Sequence, residues 1–171
     1  MSVRRAGRDD WLRLDDTGLL RQCREERYRA SGPGGQRRNK VETAVHLRHG
    51  PSGVVSQAEE SRSLAENRKR AVRRLRERIA LTCREPMDAA DPALPGEFLG
   101  QIKRDGSLAV NPRNRVYPII VATVLDALEA ADGSYAQAGR ALGLATSQVI
   151  RFLRADREVW RAVGIVRAPR G

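Results

Sequence analysis

The residues best suited to chemistry lie in one segment of this chain, Ser-Gly-Pro-Gly-Gly-Gln-Arg-Arg-Asn-Lys at positions 31–40. Its glycines allow positive φ angles and let the backbone approach another surface without a Cβ atom in between. Basic side chains lie on both sides of them, at Arg27, Arg29, Arg37, Arg38 and Lys40. This combination predicts a loop that presses its main chain against a polyanionic partner.

The segment resembles the GGQ loop of class-I peptide-chain release factors. The resemblance extends over about fifty residues, from about Arg27 to Ile79. Its parts follow in order: Arg-Tyr-Arg-Ala at 27–30, the loop itself, Val-Glu-Thr-Ala-Val-His-Leu at 41–47, Pro-Ser-Gly-Val-Val at 51–55, then Arg62-Ser63 and Asn67-Arg68 at the start of a basic helix. Gly-Gly-Gln alone would be a weak signal, whereas this ordered series is specific. Arg37 stands where many members have histidine and Leu64 where glutamine is frequent, but neither departure touches the Gly-Gly-Gln triplet.

Class-I release factors hydrolyse peptidyl-tRNA in the large ribosomal subunit, and the resemblance implies the same reaction here. Ester hydrolysis needs a water molecule to attack the carbonyl carbon, a donor for the developing negative charge, and a proton for the leaving 3′-oxygen. Gln36 cannot be a general base because its amide does not titrate near pH 7, and no spacing pairs a serine with His46 or His49. The resemblance implies instead that the Gln36 backbone N–H stabilises the transition state and its side chain shapes the water site. Gly34 and Gly35 would permit the close approach.

The resemblance also implies contacts with ribosomal RNA around the loop and along the basic helix. The RNA-binding residues that it predicts are Arg29, Arg37, Arg38, Asn39, Lys40, Arg62, Ser63, Asn67, Arg68 and Arg73. The expected partners are the large ribosomal subunit, its rRNA and peptidyl-tRNA. A glutamine methyltransferase acting on Gln36 is a further candidate partner. The alternative for the helix charges is a solvated surface without a ligand.

Composition supports a nucleic-acid partner. The 171 residues include 32 Lys and Arg against 21 Asp and Glu, a formal net charge of +11, and such an excess favours polyanions. Aromatic residues make up 4% of the chain, so base stacking is not expected to dominate RNA binding. The cysteines and histidines show no metal-ligand spacing, and we expect neither a metal nor another cofactor. Since no signal sequence or membrane-length apolar run is visible, we expect a cytoplasmic protein without membrane contact, or an organellar one whose targeting signal is not visible.

Residues 1–84 predict an α+β catalytic domain of the release-factor type, in which a long basic helix packs on a small antiparallel or mixed sheet. Partial two-residue alternation indicates strands at about 25–30, 42–49 and 53–58. Gly and Pro between the last two predict the turn of an antiparallel hairpin.

Two helices are expected in this domain. Asp16 is expected to cap a short one, whose inward residues would be Leu19, Leu20 and Cys23. From 62 to about 84 the apolar period becomes helical, with Val72, Leu75 and Ile79 on one face. The remaining surface of this helix is filled by Arg68, Lys69, Arg70, Arg73, Arg74 and Arg76. One apolar face is therefore expected on the sheet and one basic face outside.

The second half of the chain divides into a linker and a helical domain. Residues 85–115 are rich in proline and glycine, which break long elements, although Phe98 and Leu108 are candidates for packing on a neighbouring domain. Residues 116–171 predict a small all-helical domain. Its first helix carries the apolar stripe Ile120, Val121, Val124, Leu125 and Leu128.

The end of this domain resembles a helix-turn-helix. A short helix at 135–142 is followed by a turn at Gly143 and a helix capped by Thr146, with Gly139 and Val149 at the motif's small and buried positions. The second helix would offer Gln148, Arg151 and Arg154 to a nucleic acid. The same packing also suits a small bundle that serves stability or a protein contact, and this alternative stays open.

These observations predict codon-independent hydrolysis of peptidyl-tRNA on stalled ribosomes or large subunits, that is, ribosome rescue. About two dozen residues precede Arg27, and no codon-recognition segment is identifiable. The chain therefore resembles the short rescue-type relatives of release factors. The alternatives are a non-catalytic ribosome- or RNA-binding module, a factor that mainly marks or clears stalled large subunits and, more distantly, a DNA-binding regulator.

Overall fold

The computed structural model describes residues 7–29 and 42–167. These residues form two compact units. The first comprises residues 10–79 apart from the segment outside the description, and the second comprises residues 7–9 with 80–167. A three-stranded antiparallel sheet with a long helix, followed by several helices, confirms the predicted α+β class.

The sheet of the first unit has its strands in chain order: β1 (Cys23–Tyr28), β2 (Ala44–His49) and β3 (Val55–Ala58). Both pairings are antiparallel, and Leu47 of β2 lies between Glu25 and Ser56 of its neighbours. The predicted hairpin turn is present between β2 and β3, where Gly53 has a φ of +70° and its N–H donates to the His49 carbonyl at 2.8 Å. A positive φ of this kind favours glycine.

Two short helices precede the sheet, α1 (Arg8–Arg13) and α2 (Asp16–Arg21). The predicted cap of α2 was wrong by one residue: the side chain of Asp15, not Asp16, accepts a bond from the Gly18 N–H at 2.6 Å. An N-cap residue has extended backbone, and Asp15 has it while Asp16 is already helical. Leu19 faces inward as expected and is fully buried.

The long helix α3 (Leu64–Thr82) packs its apolar stripe as the sequence period predicts. Val72, Leu75 and Ile79 are all at most 1% exposed. Its backbone also contacts the sheet, because the Ser56 hydroxyl donates to the Ala71 carbonyl at 2.8 Å. The sheet and α3 therefore share one core.

Arg76 does not belong to the outer basic face on which the sequence pattern places it. The residue is 7% exposed, and its guanidinium donates to Asp16 Oδ1 and to the Leu14 carbonyl, each at 2.6 Å. Helical spacing alone cannot show this, because a long arginine side chain can reach an acceptor of another element. Arg76 thus ties α3 to the α1–α2 region.

The second unit is helical and consists of α4 (Gly96–Leu99), α5 (Tyr117–Ala130), α6 (Tyr135–Leu142), α7 (Thr146–Arg154) and α8 (Arg157–Val166). Its core includes the expected α5 stripe. Phe98 and Leu108 also lie in this core, at 0% and 8% exposure. The Pro/Gly-rich stretch that contains them therefore contributes to the helical unit in addition to joining the two halves of the chain.

A buried ion cluster holds residues 7–9 within the second unit. Asp126 of α5 accepts bonds from Arg8 Nη1 at 2.6 Å and from Arg84 Nη1 at 3.0 Å. The Arg8 and Asp126 side chains are each only 3% exposed. A buried carboxylate needs such partners, since an unpaired charge inside a protein is costly.

The α6–turn–α7 arrangement has the local features of a helix-turn-helix. Gly143 ends α6 with a left-handed φ of +67°, and a Cβ at Gly139 would lie 2.7 Å from the Leu144 carbonyl oxygen. Val149 is fully buried, as the motif requires. The predicted cap of α7 was wrong, because Ala145 is the N-cap and makes no side-chain bond, while Thr146 is the first helical residue.

Candidate nucleic-acid interface

The predicted catalytic residues connect two strands that are paired with each other. β1 ends at Tyr28 and β2 begins at Ala44, and these two residues are partners in the antiparallel ladder. Gly34, Gly35 and Gln36 lie outside the described residues, as do Arg37, Arg38, Asn39 and Lys40. The structure does describe the elements on either side of this segment. They are the ends of β1 and β2, the residue after β3 and the start of α3, and we call them the frame.

Asn67 of α3 fixes the position of Thr43, the residue that precedes β2. Its side-chain nitrogen donates to the carbonyls of Thr43 at 2.7 Å and Ser61 at 2.8 Å, and its oxygen accepts from the Ser61 N–H at 2.9 Å. Asn67 is 0% exposed. The Asn67 side chain, which was predicted to contact RNA, therefore makes its hydrogen bonds within the protein. It joins the start of α3 to the residue before β2.

The other side of the frame is fixed by Tyr28. Its hydroxyl donates to Glu59 Oε2 at 3.0 Å, which ties the end of β1 to the residue after β3. Burial, followed by this bond to a carboxylate, raises the pKa of Tyr28. Arg29 is the next residue, and its side chain is 64% exposed with Glu42 at 3.8 Å. Arg29 accordingly keeps the solvent access that an RNA contact requires.

Arg68, a second predicted RNA contact, forms a bidentate salt bridge with Glu25 of β1. Its Nε and Nη2 donate to the two carboxylate oxygens of Glu25 at 2.8 and 2.7 Å. This bond lowers the pKa of Glu25, although partial burial opposes it. The parallel fork geometry is the strongest arrangement of an arginine and a carboxylate. Arg68 therefore stabilises the packing of α3 on β1, and its side chain is only 35% exposed.

The predicted contacts that remain accessible lie at the start and on the outer face of α3. Arg62 and Ser63 are exposed, and the Ser63 hydroxyl also accepts from the Glu66 N–H at 3.3 Å. The Arg73 side chain is 72% exposed and 3.7 Å from Glu77. Ion pairs this exposed are weak, so Arg73 is free to exchange its partner for a phosphate.

The predicted helix-turn-helix contacts lie on α7. Arg151 is exposed, and its Nη2 donates to Gln148 Oε1 at 2.7 Å, while Gln148 itself is half-buried. Arg154 is exposed and stacks over the ring of Trp160 at 5.0 Å from the centroid. Phe152, on the same helix, is half-buried.

The sequence analysis did not identify the α8 residues that lie beside the exposed arginines of α7. Trp160, Arg157 and Arg161 share one side of α8, at spacings of three and four residues. That spacing was visible in the sequence. It lies beyond the helix-turn-helix pair, which ends at Arg154.

The described residues contain no group of three or more His, Cys, Asp or Glu side chains able to hold a metal ion. Among the same residues, no helix combines the length and the apolar character that crossing a membrane demands.

Comparison with known proteins places the first half of the chain in a family. Residues 20–103 match the RF-1 domain. These residues belong to the RF-1 domain family. The match begins in α2 and covers the sheet, α3 and the Pro/Gly-rich stretch as far as residue 103, so it includes the Gly-Gly-Gln triplet.

Similar curated proteins bear release-factor names. "Peptide chain release factor 1" of Chloroherpeton thalassium is 52% identical over 52 residues, which are 30% of this chain and 14% of that protein. "Peptide chain release factor 1" of Ureaplasma parvum is 36% identical over 97 residues, 56% of this chain and 27% of the relative. "Mitochondrial translation release factor in rescue" of Danio rerio is 50% identical over 58 residues, 34% of this chain and 37% of that protein. The chain thus spans well under two thirds of the length of these relatives. No solved structure matches it.

Proposed function

We propose that this protein hydrolyses peptidyl-tRNA on the ribosome. The observation that carries the proposal is an RF-1 domain whose Gly-Gly-Gln triplet, at 34–36, connects the paired ends of β1 and β2. Strands that pair up to Tyr28 and Ala44 give such a segment closely spaced, fixed attachment points. A group that acts on a transition state needs fixed placement of this kind.

The proposed reaction is the hydrolysis of one ester bond. The oxygen of a water molecule attacks the ester carbonyl carbon, the bond to the tRNA 3′-oxygen breaks, and that oxygen leaves with a proton. The backbone N–H of Gln36 donates to the negative charge that forms on the carbonyl oxygen, and the side-chain amide orients the water. A backbone donor aimed at such a charge contributes roughly 10²–10³ in rate. The ribosome and the tRNA supply the remaining groups.

The substrate we propose is peptidyl-tRNA on stalled ribosomes or large subunits, released without reading a codon. The similarity to a relative named for release in rescue supports this choice. A helical unit follows the RF-1 domain in this chain, and its exposed arginines on α7 and α8 suit contact with ribosomal RNA.

The test is peptide release from P-site peptidyl-tRNA on three kinds of ribosome, with a stop codon, a sense codon or no mRNA in the A site. Release that is independent of the codon supports the proposal. Gly35→Ala should lower the rate by roughly 10²–10³ while ribosome binding is retained, because the affected group acts only on the transition state. The matched control is Gly96→Ala, since a Cβ at this exposed glycine meets nothing within 4 Å.

Three results would contradict the proposal or a part of it. Gly35→Ala releasing peptide as fast as the wild type would exclude the assigned chemistry. A wild-type protein that binds ribosomes but never releases peptide would make it a non-catalytic binding module. Release only at stop codons would refute the rescue assignment and leave a termination factor.

A further inference from the structure

The helical unit carries a continuous basic surface, which we name the α7–α8 arginine surface. Its members are Arg151 and Arg154 of α7 and Arg157, Trp160 and Arg161 of α8. Spacings of three and four residues place side chains on one side of a helix. The stacking of Arg154 on Trp160, at 5.0 Å, joins the two helices' contributions.

Both helices bury their apolar faces in the core of the second unit, which leaves the α7–α8 arginine surface exposed to solvent. Val149 and Leu153 of α7 are fully buried, and Val159, Ala162 and Val163 of α8 are at most 6% exposed. All four arginines are exposed, and Trp160 remains 36% exposed. Among the described residues, Trp160 is the one aromatic ring in the set of exposed large hydrophobic side chains, whereas Trp11 packs against His49.

The positive charge of the surface is largely uncompensated. The acidic residues on these two helices and their connection are Asp156 and Glu158. Asp156 caps α8, accepting from the N–H groups of Glu158 and Val159 at 2.8 and 3.2 Å. Glu158 accepts from Arg161 at 2.8 Å.

Among the described residues, Arg151, Arg154 and Arg157 therefore have no carboxylate partner. This differs from α3, where Arg68, Arg74 and Arg76 all bind carboxylates.

We propose that the α7–α8 arginine surface binds RNA, with its guanidinium groups on phosphates and Trp160 as a platform for an unpaired base. A guanidinium whose face stacks on an aromatic ring keeps its N–H edge free for a phosphate, and it is less strongly hydrated than an ammonium group. An exposed ring among arginines suits an unpaired base, since stacking is available with any base.

The choice of RNA over DNA rests on the proposed function, whereas the choice of a nucleic acid rests on the surface alone. An acidic protein is the alternative ligand, because arginine and tryptophan also suit protein interfaces, and in that case an RNA hairpin would leave the Trp160 emission unchanged.

The first experiment measures the salt dependence of binding between the full chain and a fluorescein-labelled RNA hairpin of about twenty nucleotides with an unpaired loop. The variant Arg151→Gln/Arg154→Gln/Arg157→Gln removes the three arginines that have no carboxylate partner among the described residues. Its matched control, Lys103→Gln/Arg104→Gln/Arg113→Gln, removes three exposed charges from the same unit, outside α7 and α8. We expect the slope of log affinity against log salt to fall by about two units in the first variant and to change far less in the control.

The second experiment reads the surface directly through Trp160. In a Trp11→Phe background Trp160 is the only tryptophan, and stacking of a base should quench its emission when the hairpin is added. If Trp11→Phe does not fold, comparing the quenching of the wild type with that of Trp160→Phe gives the same information. No ribosome or peptidyl-tRNA is present, so a failure here differs from a failure of peptide release.

The proposal is overturned by an unchanged salt slope in the α7–α8 variant or by unchanged Trp160 emission at saturating RNA. Tighter binding to a DNA hairpin of the same sequence would overturn the assignment of RNA. Equal falls in slope for variant and control would show a general charge effect and also refute a specific surface.

Discussion

Asn67 offers the sharpest test of the frame that holds the Gly-Gly-Gln segment. The change to examine is Asn67→Ala, which removes an amide that is fully buried and makes three hydrogen bonds. The substitution leaves the carbonyls of Thr43 and Ser61 and the Ser61 N–H without these partners. It adds no charge and removes only a small volume.

The expected loss follows from the three bonds. Each is worth about 1 kcal/mol net, and a backbone group left without a partner costs about 1–3 kcal/mol. Because Thr43 and Ser61 are only partly buried, water can replace part of the loss. We therefore expect the unfolding free energy of the first unit to fall by about 3 kcal/mol. For a unit of this size, with a urea m-value of about 1 kcal/mol/M, the midpoint should move down by about 2–3 M.

Urea unfolding followed by Trp11 fluorescence measures this loss in the right unit, because Trp11 lies against the His49 ring at 5.1 Å. A Trp160→Phe background removes the signal of the second unit. The matched control is Gln57→Ala, which deletes an amide from an exposed position of β3 in the same unit and should change stability by no more than about 0.5 kcal/mol. If Asn67→Ala unfolds at the same urea concentration as this control, the anchoring role is refuted.

Two further predictions concern the helical turn and the sheet. Gly139→Ala should lower the thermal midpoint of the second unit, because the new Cβ would meet the Leu144 carbonyl oxygen at 2.7 Å; a midpoint equal to that of Gly164→Ala, where the Cβ meets nothing within 4 Å, would contradict this. The stability that Glu25 contributes should be complete above the ordinary glutamate pKa of about 4.3 and disappear as the pH falls through its lowered pKa, because Arg68 binds the ionised form. Urea midpoints of the wild type should therefore drop more steeply in acid than those of Glu25→Gln, and parallel curves would show that the pair does not contribute.

The strands and the long helix were predictable because their signals are periodic and local. Alternation along β2 and the spacing of Val72, Leu75 and Ile79 each report which side of an element meets a core. The burial and the hydrogen-bond partners of Asn67 and Arg76 could not be predicted in this way. Each depends on acceptors from elements distant in sequence, at Thr43 and Asp16. A polar residue at a helix start is equally compatible with a ligand contact and with a buried anchor until the fold is known.

The arginines of this chain fall into two groups with separable effects. Arg8, Arg68 and Arg76 bind carboxylates within their own units, so their loss should lower stability whether or not RNA is present. Arg73 and the α7–α8 arginine surface contribute little to packing and stay exposed, so their loss should lower RNA affinity and leave stability nearly unchanged. The count of 32 Lys and Arg therefore overstates the number of basic groups available to RNA. An exposed arginine that contributes little to the stability of its own unit is therefore the better candidate for an RNA contact.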